Sequence, residues 1–193
     1  RTYAADVDGL ELDFGGIGQG YGAEVALAAI RGAGVDRALV DLSGDVATMG
    51  TPPDRAAWRI EIDDGDGDGK PDALLLADGA VTTSGDRFQH LDVAQPDGSV
   101  RRESHLLDPR TGRPLEHRTS VTVVARRAID ADSLTKPLSV LGPDGSAALL
   151  AAHPDAAARW AREMPGGRIE VRTTPNWPGI ARRDGAAPAV PSR

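Results

Sequence analysis

Apolar positions along this chain recur more often with a two-residue period than with a helical one. Residues 6–13 alternate through Val7, Leu10 and Leu12 as a strand does, while residues 23–31 carry apolar side chains at helical spacing, closed by Gly32 and Gly34. Residues 38–42 alternate again, and Ser43-Gly44-Asp45 turns the chain into a further strand over 46–49. Residues 58–62 predict a strand followed by an acidic glycine-containing loop over 63–72. Residues 73–77 and 80–83 read as two strands joined by Asp78-Gly79, a hairpin signal. Alternation returns over 101–107 beyond Gln95-Pro96-Asp97-Gly98, and the β-branched run 119–125 is another strand.

The last third looks mostly helical. Residues 129–141 have helical spacing with Pro137 inside, so the helix either starts near Leu134 or is kinked. Residues 146–152 and 155–162 form an Ala-rich helical pair broken at His153-Pro154, and 168–174 is a final strand. This gives one domain over residues 1–174. From Pro175 onward prolines, glycines and arginines follow no period, which predicts a mobile tail over 175–193.

The stretch between the first two elements changes this picture. Five of the eight residues from Gly15 to Gly22 are glycine, a density that suits tight turns or the close approach of main chain to a ligand. Gly18-Gln19-Gly20-Tyr21-Gly22-Ala23 fits the dinucleotide pattern G-x-G-x-x-A, with Asp41 near the interval expected of a ribose-binding acid. The strands and hairpins that follow argue against repeating β-α-β units. Net charge narrows the partners: at -7, with Lys70 and Lys136 as the only lysines, the chain lacks the basic stripe of a nucleic-acid binder. Cysteine is absent, which removes disulfide and thiolate chemistry. No apolar run approaches the ~20 residues of a membrane span.

Several blocks carry candidate chemistry. His105, beside Asp108-Pro109-Arg110-Thr111-Gly112, is a general-base candidate or a strand-end histidine held by main chain. Asp132 is a hard metal ligand or a helix cap. Asp108 and Arg110 either meet a ligand or staple a turn around Pro109. Asp86 and Arg87, after Ser84-Gly85, either touch substrate or cap a turn. Asp64, Asp66, Asp68 and Asp72, with Gly69, match positions 1, 3, 5, 9 and 6 of a calcium loop. Leu75 stands where the bidentate acid belongs, leaving weak Ca²⁺ binding or a solvated acidic loop.

Five blocks in order resemble the FAD:protein FMN transferase (ApbE) family. They are Asp13-Phe14-Gly15-Gly16-Ile17-Gly18-Gln19-Gly20-Tyr21, residues 38–46, Ala80-Val81-Thr82-Thr83-Ser84-Gly85-Asp86, His105-Leu106-Leu107-Asp108-Pro109-Arg110-Thr111-Gly112-Arg113-Pro114, and residues 120–125 leading to Ala131-Asp132-Ser133-Leu134. The resemblance covers the family's C-terminal half, a fragment or short form. It implies an α+β domain with mixed and antiparallel sheets and flanking helices, ApbE-like and related to the T-fold. It further implies FAD as substrate, Mg²⁺, and transfer of FMN to a Ser or Thr hydroxyl of an acceptor flavoprotein. His105 would activate that hydroxyl. Gly15, Gly16, Gly18, Gln19, Ser84, Gly85, Asp86, Asp108, Arg110 and Thr111 would bind the nucleotide. The Gly18 carbonyl, Asp132 and Thr135 would hold the metal. Family location points to a bacterial cell envelope or cytoplasm.

Two positions depart from the family pattern. Gln19 stands in place of a lysine in the glycine loop, and Lys136 stands where a threonine usually completes the metal shell, with Thr135 one place early. Either Thr135 ligates through a shifted helix, or Lys136 occupies the metal position and neutralises phosphate itself, or the chain is inactive. A non-catalytic flavin-binding relative, an NAD-type oxidoreductase and a calcium-stabilised interaction module are the competing readings.

Overall fold

The computed structural model describes residues 4, 6–62, 72–85, 90–115, 118–164 and 166–178. Helix α1 (Gly18–Gly32) is followed by strands β1 (Ala38–Leu42), β2 (Asp45–Met49), β3 (Trp58–Ile62), β4 (Asp72–Leu76), β5 (Gly79–Gly85), β6 (His90–Ala94) and β7 (Val100–Ser104). Two short strands, β8 (Leu107–Asp108) and β9 (Arg113–Pro114), precede β10 (Thr119–Ala125). Helices α2 (Ala128–Gly145) and α3 (Ala147–Ala152) then lead to β11 (Ala157–Glu163) and β12 (Ile169–Thr173). The main sheet has six strands in the order β1-β2-β5-β10-β11-β12, and β3-β4, β6-β7 and β8-β9 are separate ribbons. All of these ladders are antiparallel.

Strand alternation divides the apolar residues between the two faces of the main sheet. Ala47, Ala80, Val121, Val123, Ala158 and Trp160 pack with Ala23 of α1 and with Ala128, Ala131, Leu134 and Leu138 of α2. On the opposite face Val46 and Val81 meet Ile60, Ile62, Leu74 and Leu76 of the β3-β4 ribbon. Arg159 shares that second face and is buried, its Nη2 donating to Asp72 Oδ2 at 3.1 Å. Burial pulls its guanidinium down to about 10.

Three predicted elements change in three dimensions. Residues 6–13 form no strand; Val7, Leu10 and Leu12 are exposed, and their alternation has no described ladder to join. Asp78-Gly79 is no hairpin but a crossing between layers, since β4 pairs with β3 while β5 pairs with β2 and β10. The Ala-rich segment 155–162 gives strand β11. Ala157, Ala158, Arg159, Trp160 and Ala161 are all buried between β10 and β12, so sheet packing outweighs alanine's helix preference.

Helix α2 runs from Ala128 straight through Pro137 and breaks at Gly142, where φ is 65°. A proline in a helix interior costs about 3 kcal/mol. Burying Leu134 and Leu138 contributes about 1.5–3 kcal/mol each, which is enough to offset it. The described start of the predicted tail is anchored: Asn176 Nδ2 donates to the Ala156 carbonyl, and Trp177 packs on the cluster beneath β3-β4.

Candidate functional site

A cleft of about 770 Å³ opens where β2 begins, β5 ends and β10 begins. Its walls include Gly15 and Gly16 ahead of α1, Asp45 on β2, Thr82, Ser84 and Gly85 on β5, His105 between β7 and β8, Ser120 on β10, and Lys136 on α2. Gly85 pairs with Ser120 so closely that an added Cβ would lie 3.2 Å from the Ser120 Cα. The turn above the cleft is fixed locally, because the Gly15 amide donates to Asp13 Oδ1 at 2.7 Å and the Gly18 amide to the Phe14 carbonyl at 2.7 Å. Ser43 and Gly44 turn β1 into β2 at φ 58° and 97°, and Asp41 Oδ1 accepts the Gly44 amide at 2.8 Å. Ser43 thus adopts a left-handed conformation that glycine reaches without steric cost.

Helices α1 and α2 hold each other at their starts. Neither residue preceding them, Ile17 or Arg127, supplies a side-chain cap. Instead Asp132 Oδ2 of α2 accepts the Gly20 amide at 3.0 Å, and Glu24 Oε1 of α1 accepts the Ile129 amide at 3.3 Å. Each carboxylate therefore satisfies an amide that a helix's first turn leaves open, at the positive end of the partner's dipole. The approach requires glycine: a Cβ on Gly20 would lie 2.4 Å from the Ala128 carbonyl oxygen. The second oxygen of Asp132 accepts Lys136 Nζ at 2.6 Å. Asp132 is fully buried, whereas the Lys136 side chain is 28 % exposed and reaches the cleft.

The ApbE family model matches residues 3–160. The chain belongs to the ApbE family. It is 31 % identical over 156 residues to the FAD:protein FMN transferase of Vibrio cholerae, covering 79 % of this chain and 45 % of that protein. With the Escherichia coli K12 FAD:protein FMN transferase the identity is 34 % over 142 residues, 72 % of this chain and 39 % of that one. The apo crystal structure of Pseudomonas stutzeri flavinyl transferase ApbE superposes with a TM-score of 0.70 at 32 % identity, covering 86 % of this chain and 50 % of that one. The chain thus spans less than half the length of these two curated relatives, and its α+β architecture is that of ApbE flavin transferase structures.

Within this ApbE chain the expected ligand residues divide into two groups. Gly15, Gly16, Gln19, Ser84, Gly85 and His105 line one cleft, although the Gln19 amide donates out of it to the Leu42 carbonyl at 3.1 Å. Asp108, Arg110 and Thr111 do not line it. Asp108 instead takes a bidentate contact from Arg110 and accepts the Thr111 and Gly112 amides on its carbonyl, so they staple their own turn. Arg110 holds the Asp108 carboxyl below its ordinary range. Gly18 through Ala23 lie inside α1, not in a loop ahead of it, and Asp41 caps the β1-β2 turn, so the NAD-type reading fails along with its parallel sheet. Asp86, Asp64, Asp66 and Asp68 lie outside the described residues, and Asp72 is paired with Arg159.

The three residues expected to hold Mg²⁺ do not fit it. Both Asp132 oxygens are engaged, one by an ammonium; Thr135 is fully buried and donates to the Asp132 carbonyl at 2.8 Å; and Gly18 heads α1, where its carbonyl enters the helix ladder. Mg²⁺ needs a near-octahedral set of oxygens, which this arrangement does not offer.

Asp45 escaped the sequence reading. It sits in the cleft wall at 5 % exposure, and its Oδ1 has no hydrogen-bond partner. Burial raises its pKa, the nearby Asp132 and Asp41 charges add to the rise, and Thr82 and Lys136 oppose it. The signal was present: an acid opening a strand whose following residues are all apolar or small.

Proposed function

We propose that this chain performs flavin transfer, binding FAD and passing its FMN moiety to a Ser or Thr hydroxyl of a partner flavoprotein. The observation that carries this reading is the convergence of the Gly15-Gly16 main chain, Ser84-Gly85, Lys136 and His105 on one cleft. An ammonium beside a glycine turn that allows close approach suits a diphosphate, and an imidazole at the same cleft suits proton removal from an alcohol. In the reaction the acceptor oxygen forms a bond to the FMN phosphorus. The bond from that phosphorus to the bridging oxygen breaks, and AMP leaves with that oxygen. The hydroxyl proton passes to the His105 imidazole. Transfer of this kind depends on positioning and charge stabilisation more than on covalent chemistry by the protein.

The test is to incubate the chain with FAD and a flavin-acceptor protein and to look for an FMN-modified acceptor by mass spectrometry. His105→Ala is expected to bind FAD normally and to lose transfer by about 10²-fold or more. FAD binding without adduct in the unsubstituted chain would replace this reading with flavin binding alone.

A further inference from the structure

Among its described lining residues the cleft presents one lysine or arginine side chain, Lys136, against the acids Asp13, Asp45 and Glu61. A diphosphate entering such a site needs positive charge to offset both its own and the wall's. The ammonium is built in. Its Nζ is fixed 2.6 Å from Asp132 Oδ1, and an added Cβ on Gly16 would lie 3.6 Å from Lys136 Cε, so the side chain runs beneath the glycine turn. An ammonium has three N–H donors, and the contact with Asp132 uses one. Both Asp132 oxygens already accept a hydrogen bond, one from the Lys136 ammonium and one from the Gly20 amide, and Asp132 is fully buried and does not line the cleft, whereas Lys136 does.

We propose that the Lys136 ammonium is the resident cation for the diphosphate of the bound flavin dinucleotide, and that this chain therefore binds it without a divalent metal. The inference rests on the flavin-nucleotide reading of the cleft. It assigns Lys136 a direct contact with a non-bridging phosphate oxygen. Such a contact is a charge-assisted hydrogen bond, stronger than a neutral one and indifferent to chelators. Its positive charge is one, not two, and it cannot act as a Lewis acid.

The test measures FAD affinity by flavin fluorescence in excess EDTA and in millimolar Mg²⁺, with riboflavin, which lacks phosphate, as the reference ligand. The unsubstituted chain is expected to bind FAD with the same Kd, within about twofold, in both conditions. Lys136→Met is expected to weaken FAD about tenfold or more while leaving riboflavin unchanged. Since removing the ammonium leaves Asp132 buried without it, Lys136→Arg provides a second variant; it retains the charge and is expected to keep chelator-insensitive binding. A tenfold loss of FAD affinity in EDTA for the unsubstituted chain overturns the inference and leaves the flavin reading standing. Equal FAD affinity of a folded Lys136→Met variant overturns it as well. Absence of FAD binding in both conditions overturns the flavin reading together with the inference.

Discussion

Replacing Gly20 by alanine tests whether the α1-α2 contact is as close as the structure requires. The new Cβ would lie 2.4 Å from the Ala128 carbonyl oxygen, 2.8 Å from its carbon and 2.7 Å from Asp132 Cβ. None of these atoms can move by rotating a side-chain tip. In an isolated helix alanine is better than glycine by about 1 kcal/mol, so propensity alone predicts a gain. Against it stand overpacking of a tight core, about 1–3 kcal/mol, and the strained or lost Gly20 amide bond to a carboxylate, about 1.5–3 kcal/mol. The net expectation is destabilisation by about 2–4 kcal/mol. Gly22→Ala is the internal control, because its Cβ would meet only the Leu42 Cδ1 tip at 3.0 Å, and its expected effect lies within about 1 kcal/mol of zero. Urea denaturation followed by circular dichroism gives both values. If Gly20→Ala proves as stable as Gly22→Ala, the helices do not pack as described and the placement of Asp132 and Lys136 fails with them.

Three further outcomes follow from the site and its supports. Asp45 has a folded pKa raised by burial, so the native state binds its proton more readily and ionisation destabilises the fold as pH rises above the unfolded value of 3.8. Asp45→Asn is therefore expected to melt higher than the unsubstituted chain at pH 7, with the difference gone below pH 3.8; equal melting temperatures at pH 7 would contradict this. Asp132→Ala orphans the Gly20 amide and the Lys136 ammonium, and an equilibrium unfolding loss of about 3 kcal/mol is expected, the low end for a broken buried pair because Lys136 is partly exposed. Trp160→Phe removes the Nε1 donor from the Leu138 carbonyl at 3.1 Å, one turn before the break at Gly142, and is expected to cost about 1–2 kcal/mol in the same assay.

Much of this arrangement was legible in the sequence wherever pattern and turn chemistry agreed. Residues 38–42 and 119–125 formed strands with the expected bounds, and Ser43-Gly44 made the expected turn. The misreadings have physical reasons. Ala157, Ala158 and Ala161 are small because a central strand lies between other layers, and composition alone could not separate that demand from helix preference. Val7, Leu10 and Leu12 alternate without a partner strand. The glycine turn, Ser84, Gly85 and His105 were named together from the resemblance to the family, and the structure brings them to one cleft. Asp132 was read as a metal ligand or a cap of its own helix. Its partner, the Gly20 amide of a different helix, is set by packing over a separation of 112 residues, which no local pattern records.

That separation has a bearing on how the cleft comes into being. The Gly20 amide of α1 and the Ile129 amide of α2 each find their side-chain acceptor on the other helix, so neither of these two contacts forms until residues 18–32 and 128–145 have met. The glycine turn ahead of Gly18 closes through its own Asp13 and Phe14 acceptors, and what waits for α2 is the Lys136 side chain it lies against. A chain interrupted before Asp132 would contain every glycine of that turn and lack the Lys136 side chain against which Gly16 lies.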